Sequence, residues 1–303
     1  MDLLREPRRA VLSIFPGLLF GLAMFAPMRA AAETLASAPV RPDFSQYQAL
    51  LDDYLSVISM PGKPLDTRFD YEKFYDAGGR YERMSRIRRS LLEVSPTAMD
   101  RPTRLAWAIN TYNFVVIDNC VTNLLVRGRG RLRYKGPRDI PLPTGTFFKG
   151  ECVEVDGRKL GLDDFEREFC MDGWDRTSGT PAPATIDPRI HFALVCGAMG
   201  CPPLLPKAWS PDSLERQLEF ATRNALALPR HLAWDAEKSR LGVSQIFQWY
   251  AVDFGGYERA FQFMTRYAPP AIRKTIETNK LIRPGYYVAW DWNLNQTVHK
   301  TEI

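Results

Sequence analysis

The sequence from Asp187 to Leu204 reads DPRIHFALVCGAMGCPPL. Ile190 to Cys196 is an apolar run rich in β-forming residues, which predicts a buried strand. Two glycines follow before Cys201, and glycines at such a position indicate a turn. The segment therefore predicts a buried strand that ends in a tight turn with one cysteine on each side.

Helical patterns lie on both sides of this predicted strand. Apolar residues recur at helical spacing, and Pro102 suits the first turn of a long helix. An Asp156-Gly157 turn between short β-rich runs predicts a hairpin. The predicted helices cover about residues 44–58, 80–93, 102–125, 162–171, 213–226, 244–254, 257–267 and 271–280, and a β-rich end covers 286–292. Together they predict a mainly helical α+β single domain with a small sheet and an N-terminal helical extension over 33–99.

The first 32 residues have the pattern of a cleavable signal peptide. Arg5, Arg8 and Arg9 precede an almost uncharged run, and Ala30 and Ala32 form a small-residue cleavage site. The run is long enough to span a bilayer, but prolines and glycines interrupt it. We therefore predict cleavage after Ala32 and a periplasmic or secreted protein. The paired arginines also allow a twin-arginine signal as a minor alternative.

Charge and hydropathy exclude two classes of partner. Removing residues 1–32 lowers the basic and acidic counts from 40 and 35 to 36 and 33. A protein that binds nucleic acid usually has a strongly basic face, so we expect no nucleic-acid partner. No later segment is apolar for long enough to predict a membrane span. We expect a small-molecule or peptide ligand of unknown identity, no cofactor and no metal.

The 187–204 segment contains one histidine and two cysteines that could carry chemistry. His191 lies inside the predicted strand, and burial there would keep its imidazole neutral. A neutral imidazole beside a thiol is the arrangement that nucleophilic cysteine chemistry needs. Alternation along a strand, however, places His191 and Cys196 on opposite faces. A bend after Cys196, or use of Cys201, would bring a sulfur to the ring.

Three interpretations of these residues stay open. The first is a disulfide between Cys196 and Cys201, because an oxidising compartment favours pairing of two nearby thiols. The second is a cysteine nucleophile with His191 as its base. The third is a metal site, although the H-x4-C-x4-C spacing matches no common zinc pattern. The chain has five cysteines, so at least one lies outside any intramolecular disulfide.

Several ordered motifs resemble the domain-of-unknown-function 547 family, found in bacterial exported proteins and in plants. They are the 187–204 stretch, the Leu105 to Asn113 helix LAWAINTYN, the 155–166 strand, turn and acidic helix start, and the closing segments 244–254 and 290–295. The resemblance spans about residues 100–296, which predicts a family-like domain there and a tail over 297–303. It implies candidate positions at His191, Cys196 and Asn110 but no reaction.

Two functions from different classes compete. The first is a cysteine-dependent hydrolase or acyl transferase with Cys196 or Cys201 as nucleophile, His191 as base and Asn110 as an orienting or oxyanion group. The second is a non-catalytic binding or structural module of the cell envelope, in which a Cys196–Cys201 disulfide holds the loop and Asn110 ties its helix to neighbouring backbone.

Overall fold

Helices dominate the computed structural model of the chain. The structure describes residues 41–126, 131–132, 134–171, 174–175, 180–181 and 186–297, so the predicted signal peptide lies outside the described residues. The described residues belong to one compact unit. Its α-helices are α1 (Ser45–Tyr54), α2 (Tyr71–Asp76), α3 (Arg80–Leu92), α4 (Arg101–Leu124), α5 (Leu162–Phe165), α6 (Leu214–Leu226), α7 (Ile246–Trp249), α8 (Tyr257–Tyr267) and α9 (Pro270–Thr278).

The strands are short and form small, separate sheets. They are β1 (Leu55–Val57), β2 (Thr67–Phe69), β3 (Leu125–Val126), β4 (Arg131–Leu132), β5 (Pro141–Leu142), β6 (Gly145–Thr146), β7 (Val153–Val155), β8 (Arg158–Leu160), β9 (Trp174–Asp175), β10 (Thr180–Pro181), β11 (Leu232–Asp235), β12 (Arg240–Ser244) and β13 (Tyr286–Val288). Only the last three form a three-stranded sheet, in which β12 pairs antiparallel with β11 and parallel with β13. This architecture confirms the predicted mainly helical α+β domain.

Helix α4 is the centre of the larger of two hydrophobic cores. Pro102 stands in its first turn, where the missing N–H costs nothing. Most of its length is buried, including the fully buried Trp107, and α2 and α3 pack against it. Because the helix is buried on several faces, polar residues such as Asn110 and Asn113 are buried together with its apolar ones. Among the described residues, no helix combines the length and the apolar character that a membrane crossing needs.

The predicted hairpin is present. Strands β7 and β8 pair antiparallel, from Val153 opposite Leu160 to Val155 opposite Arg158. Asp156 and Gly157 connect them with φ values of 48° and 74°. Two consecutive positive φ values are typical of the turn whose twist matches a two-residue hairpin.

The prediction of a strand over 190–196 is wrong. Pro188–Phe192 is a 3-10 helix, and Asp187 caps it by accepting a hydrogen bond from the Arg189 N–H at 3.0 Å. An Asp-Pro pair is a helix-start signal, and short apolar runs do not distinguish a strand from a buried helical turn. The alternation argument that separated His191 from Cys196 therefore no longer applies.

A helix side chain supplies the hydrogen bonds that a neighbouring strand would have made. After the 3-10 helix, the side-chain amide of Asn113 donates to the carbonyl of Ala193 at 3.0 Å. Its oxygen accepts from the N–H of Val195 at 2.9 Å. The apolar run is buried as predicted, but α4 holds it in place of a sheet.

Two predicted helices are shorter than expected, and a third is confirmed with a change of helix type. The pattern over 44–58 gives α1 followed by strand β1, and the 244–254 pattern gives only one turn of helix, α7, directly after β12. The 162–171 pattern is helical over 162–170, where α5 continues into a π-helical turn at Glu166–Cys170. The spacing over 44–58 was misleading because Val57 and Ile58, beyond α1, are 54% and 48% exposed and do not belong to its buried face.

The C-terminal segment closes over the Cys196–Cys201 loop. The N–H groups of Met199 and Gly200 donate to the carbonyls of Asn293 and Asp291, each at 2.8 Å. A side chain at Gly200 would meet the ring of Trp290 at 2.8 Å, so only glycine permits this close approach. The segment thereby fixes Trp290 and Trp292 beside the loop.

Candidate active site

A cavity of about 150 Å³ lies where the 3-10 helix, α5, α7 and the C-terminal segment meet. His191, Cys196 and Cys201 all line it, so the structure brings three of the four predicted site residues to one place. The other lining residues are carboxyl-bearing, aromatic or aliphatic: Tyr112, Phe148, Asp163, Glu166, Leu194, Val195, Pro202, Ile246, Trp249, Tyr250, Trp290 and Trp292. Asn110 is not among them.

Two carboxyl groups flank the imidazole of His191. Its Nε2 lies 2.9 Å from Oδ2 of Asp253, and its Nδ1 lies 3.9 Å from Oε1 of Glu166. The ring stacks on Tyr250 with the ring centroids 3.8 Å apart. The side chain is almost completely buried, with 1% of its surface exposed. The imidazole is therefore held on both edges and one face.

The hydrogen bond to Asp253 determines which ring nitrogen carries the proton. A carboxylate only accepts hydrogen bonds, so Nε2 donates to it and the neutral ring has its lone pair on Nδ1. Within the described residues, Nδ1 has no hydrogen-bond partner. Burial lowers the pKa of His191 although Asp253 opposes this shift. The ring is therefore neutral at pH 7, with an available base on the Glu166 side.

Glu166 is a buried carboxyl that holds its proton unusually strongly. Burial raises its pKa from 4.5 to about 7, and this effect outweighs the hydrogen bond from the Tyr250 hydroxyl. Burial also raises the pKa of Asp163, which lines the same cavity. Near neutral pH the cavity therefore offers a proton donor, Glu166, beside a proton acceptor, His191.

We predict that Glu166 makes the protein less stable as pH rises. The folded-state pKa is the higher one, so its contribution is fully present below about pH 4.5 and is lost as pH rises through about 7. A shift of this size corresponds to about 3 kcal/mol. In denaturant unfolding, the free energy of unfolding of Glu166→Gln, measured relative to the wild type, should rise by about this amount between pH 4.5 and pH 7.5. A difference that stays constant with pH would contradict the shift.

Cys196 and Cys201 form a disulfide bond with their Cα atoms 6.3 Å apart. The N–H of Cys196 also donates to Sγ of Cys201. Because each sulfur is bonded to the other, neither is a thiolate nucleophile or a metal ligand in this state. Within the described part of the chain, no group of three His, Cys, Asp or Glu side chains is arranged to hold a metal ion.

We predict that Cys196→Ser and Cys201→Ser lower the free energy of unfolding by a similar amount. Loop closure across so short a segment contributes about 2 kcal/mol. Cys152→Ser, at a half-buried cysteine outside the bridge, is the matched control and should change stability less. Thiol titration of the unfolded, unreduced protein should find three thiols. Five thiols, or a loss of stability in only one bridge variant, would exclude a structural disulfide.

Asn110 has a structural position instead of a place in the cavity. It is fully buried, and its amide donates to the carbonyl of Trp209 at 2.8 Å while its oxygen accepts from the Trp209 N–H at 2.9 Å. Asn113, one turn later, binds residues 193 and 195 in the same way. The two amides hold two loops against α4, which agrees with the structural interpretation of Asn110.

The structure adds site residues that sequence reasoning did not assign to the site. Glu166 was placed at the acidic helix start of the 155–166 motif, and Asp253 and Trp290 fell within the family-like segments 244–254 and 290–295 without a role of their own. Asp253 contacts His191 across 62 residues, which no local pattern reveals. The available signal was that Tyr250 and Asp253 stand in one of the family-like motifs.

A second cavity of about 620 Å³ lies on the other side of Asp253. Arg189 lines it and pairs with Asp187 and, at 2.8 Å, with Glu215. Arg259 and Arg266 also line it. This cavity is larger and more open, but it is not lined by His191 or by Glu166 and Asp163, the carboxyls whose pKa values are raised. The smaller cavity is therefore the better candidate for chemistry.

A comparison with models of protein families gives a match over residues 96–226. No curated protein and no solved structure matches the chain significantly. The matching family model ends at residue 226, so Tyr250, Asp253 and the tryptophans of the C-terminal segment lie beyond it. Residues 96–226, which contain Asn110, Glu166, His191 and both bridge cysteines, match the family described as a protein of unknown function, DUF547, and the chain thus resembles the family that its motifs predicted.

Proposed function

We propose that this protein is a hydrolase of acyl compounds in which His191 and Asp253 form a general base and Glu166 is the general acid. The observation that carries the proposal is the orientation of His191, whose Nε2 is fixed by Asp253 while its buried Nδ1 faces Glu166. A carboxylate that orients an imidazole in this way is the arrangement used to activate a nucleophile.

The gap between His191 and Glu166 fits one reacting oxygen. Their facing atoms are 3.9 Å apart, which is too long for a direct hydrogen bond. The mechanism places one water oxygen beside this gap, within hydrogen-bond distance of both atoms. His191 would take a proton from this water as its oxygen bonds to the acyl carbon. Glu166 would donate its proton to the leaving oxygen or nitrogen as that bond breaks, and then recover a proton from His191.

The same distance favours acyl over glycosyl chemistry. In glycosidases that use an activated water, the acid and base act on opposite faces of the sugar carbon and stand roughly 6.5–9.5 Å apart. His191 and Glu166 are too close for that arrangement. At a carbonyl, the attacking and leaving atoms are bonded to one tetrahedral carbon, so one acid–base pair reaches both.

The cysteine-dependent enzyme expected from the sequence is the second proposal. It is favoured by the observation that Cys196 and Cys201 line the same cavity as His191. It requires reduction of the disulfide before either sulfur attacks a substrate. Export to the periplasm or beyond, proposed from residues 1–32, fits a stable bridge better, because disulfides persist in oxidising compartments.

The test is hydrolysis of a panel of chromogenic esters and anilides before and after the disulfide is reduced and the resulting thiols are alkylated. We expect turnover by the oxidised protein that reductant followed by iodoacetamide does not abolish. Turnover that appears only with reductant and disappears on alkylation would favour the cysteine nucleophile. Cys152→Ser controls for alkylation of the half-buried cysteine near the surface. Absence of turnover in both states would favour a non-catalytic envelope module.

A further inference from the structure

Three tryptophans form a continuous aromatic wall at the cavity. Trp249 lies 4.9 Å from Trp290 and 6.0 Å from Trp292, and the latter two are also 6.0 Å apart, measured between ring centroids. Trp249 keeps 46% of its surface exposed. A large ring left in water beside a cavity, and next to two others, gives a flat apolar face to a ligand.

The rest of the cavity lining includes polar and acidic groups. Asp163, Glu166 and the hydroxyl-bearing Tyr112 line it, and no lysine or arginine is among the lining residues that the structure describes. Arg138 stacks on Trp292 at 5.5 Å but does not line the cavity. An anionic ligand would therefore meet carboxyl groups without a compensating cation, which costs free energy in a buried site.

The carboxyl groups also disfavour a cationic ligand. An aromatic cage binds a cation best when nearby carboxylates are ionised. Here burial raises the pKa of Glu166 to about 7, so this carboxyl is partly protonated near neutral pH, and burial raises the pKa of Asp163 as well. Protonated carboxyls both donate and accept hydrogen bonds. A neutral molecule with hydroxyl groups on its edge and an apolar face matches the aromatic and the polar lining groups together.

We propose that the cavity binds an uncharged sugar ring and that the acyl group to be removed is carried by this ring. The proposal rests on the hydrolase function above and adds the class of its substrate. The apolar C–H face of the ring stacks on Trp249 and its neighbours. Its hydroxyl groups bond to Asp163 and Tyr112, and its ester carbonyl lies at the water between His191 and Glu166. The products are the free sugar hydroxyl and a carboxylic acid.

The test compares hydrolysis of an O-acetylated N-acetylglucosamine with that of phenyl acetate, and binding of N-acetylglucosamine with that of glucuronic acid and choline. We expect Trp249→Ala to raise KM for the sugar ester about tenfold, and Trp249→Phe to raise it less. Phe220→Ala removes a similarly exposed aromatic ring that does not line the cavity and should leave KM unchanged. Thermal melting checks that each variant is folded.

Binding to the His191→Gln variant separates this proposal from the hydrolase function. If the neutral sugar quenches tryptophan fluorescence in this variant but the wild type turns over no ester, the ligand class is supported and the hydrolase function is contradicted. Turnover of phenyl acetate with no saturable sugar binding would reject the ligand class alone. Tighter binding of choline or glucuronic acid than of the neutral sugar would also overturn it, as would equal effects of Trp249→Ala and Phe220→Ala.

Discussion

His191→Gln is expected to lower hydrolysis of any acyl substrate by about 10²–10⁴-fold, the usual contribution of a general base. Glutamine places an amide nitrogen near the former Nε2 and keeps a donor for Asp253, so the fold should lose little stability. It has no basic nitrogen to accept the proton of water. The measurement is kcat/KM for the best ester of the panel, together with the melting temperature of each variant.

His231→Gln is the matched control for this prediction. His231 is also a fully buried histidine, and burial lowers its pKa to about 3, but it does not line the cavity. Its replacement should affect stability more than kcat/KM. Equal losses of activity in the two variants would mean that His191 acts only through packing.

Asp253→Asn tests the orientation of the imidazole separately. An asparagine amide donates a hydrogen bond to Nε2, which moves the ring proton to Nδ1 and removes the lone pair from the Glu166 side. We expect activity to fall although the side chains remain nearly the same size. Unchanged activity would show that Asp253 does not determine the tautomer.

Regular elements were predictable where one residue pattern determined them. The burial of α4 follows from its apolar sequence and from Pro102 in its first turn. The β7–β8 hairpin follows from Asp156-Gly157, because few residue pairs adopt two positive φ values. In both cases the physical cause lies within the element itself.

The segment around His191 was not predictable in the same way. Its apolar composition required burial but did not determine a strand or a 3-10 helix, and the deciding contacts come from Asn113, about 80 positions earlier. The pairing of His191 with Asp253 likewise depends on how α7 packs against the 3-10 helix. Sequence reasoning therefore located the cavity through His191 and the cysteines but missed the carboxyl groups that give it acid–base character.

Asn110→Ala is expected to lower the free energy of unfolding by about 3–5 kcal/mol, because it leaves both the N–H and the carbonyl of Trp209 buried without a partner. Asn123→Ala is the control on the same helix, since within the described residues its amide bonds to the carbonyl of Asn119, one turn earlier, and it is only half-buried. That change should cost less than about 1 kcal/mol. Denaturant unfolding of both variants gives the comparison.

The sequence-based alternative, in which Asn110 stabilises an oxyanion, requires the opposite result: a large loss of kcat in a variant that unfolds at nearly the wild-type denaturant concentration. Because both polar atoms of Asn110 are already bonded to the backbone of Trp209, we expect stability, and not the chemical step, to depend on this residue.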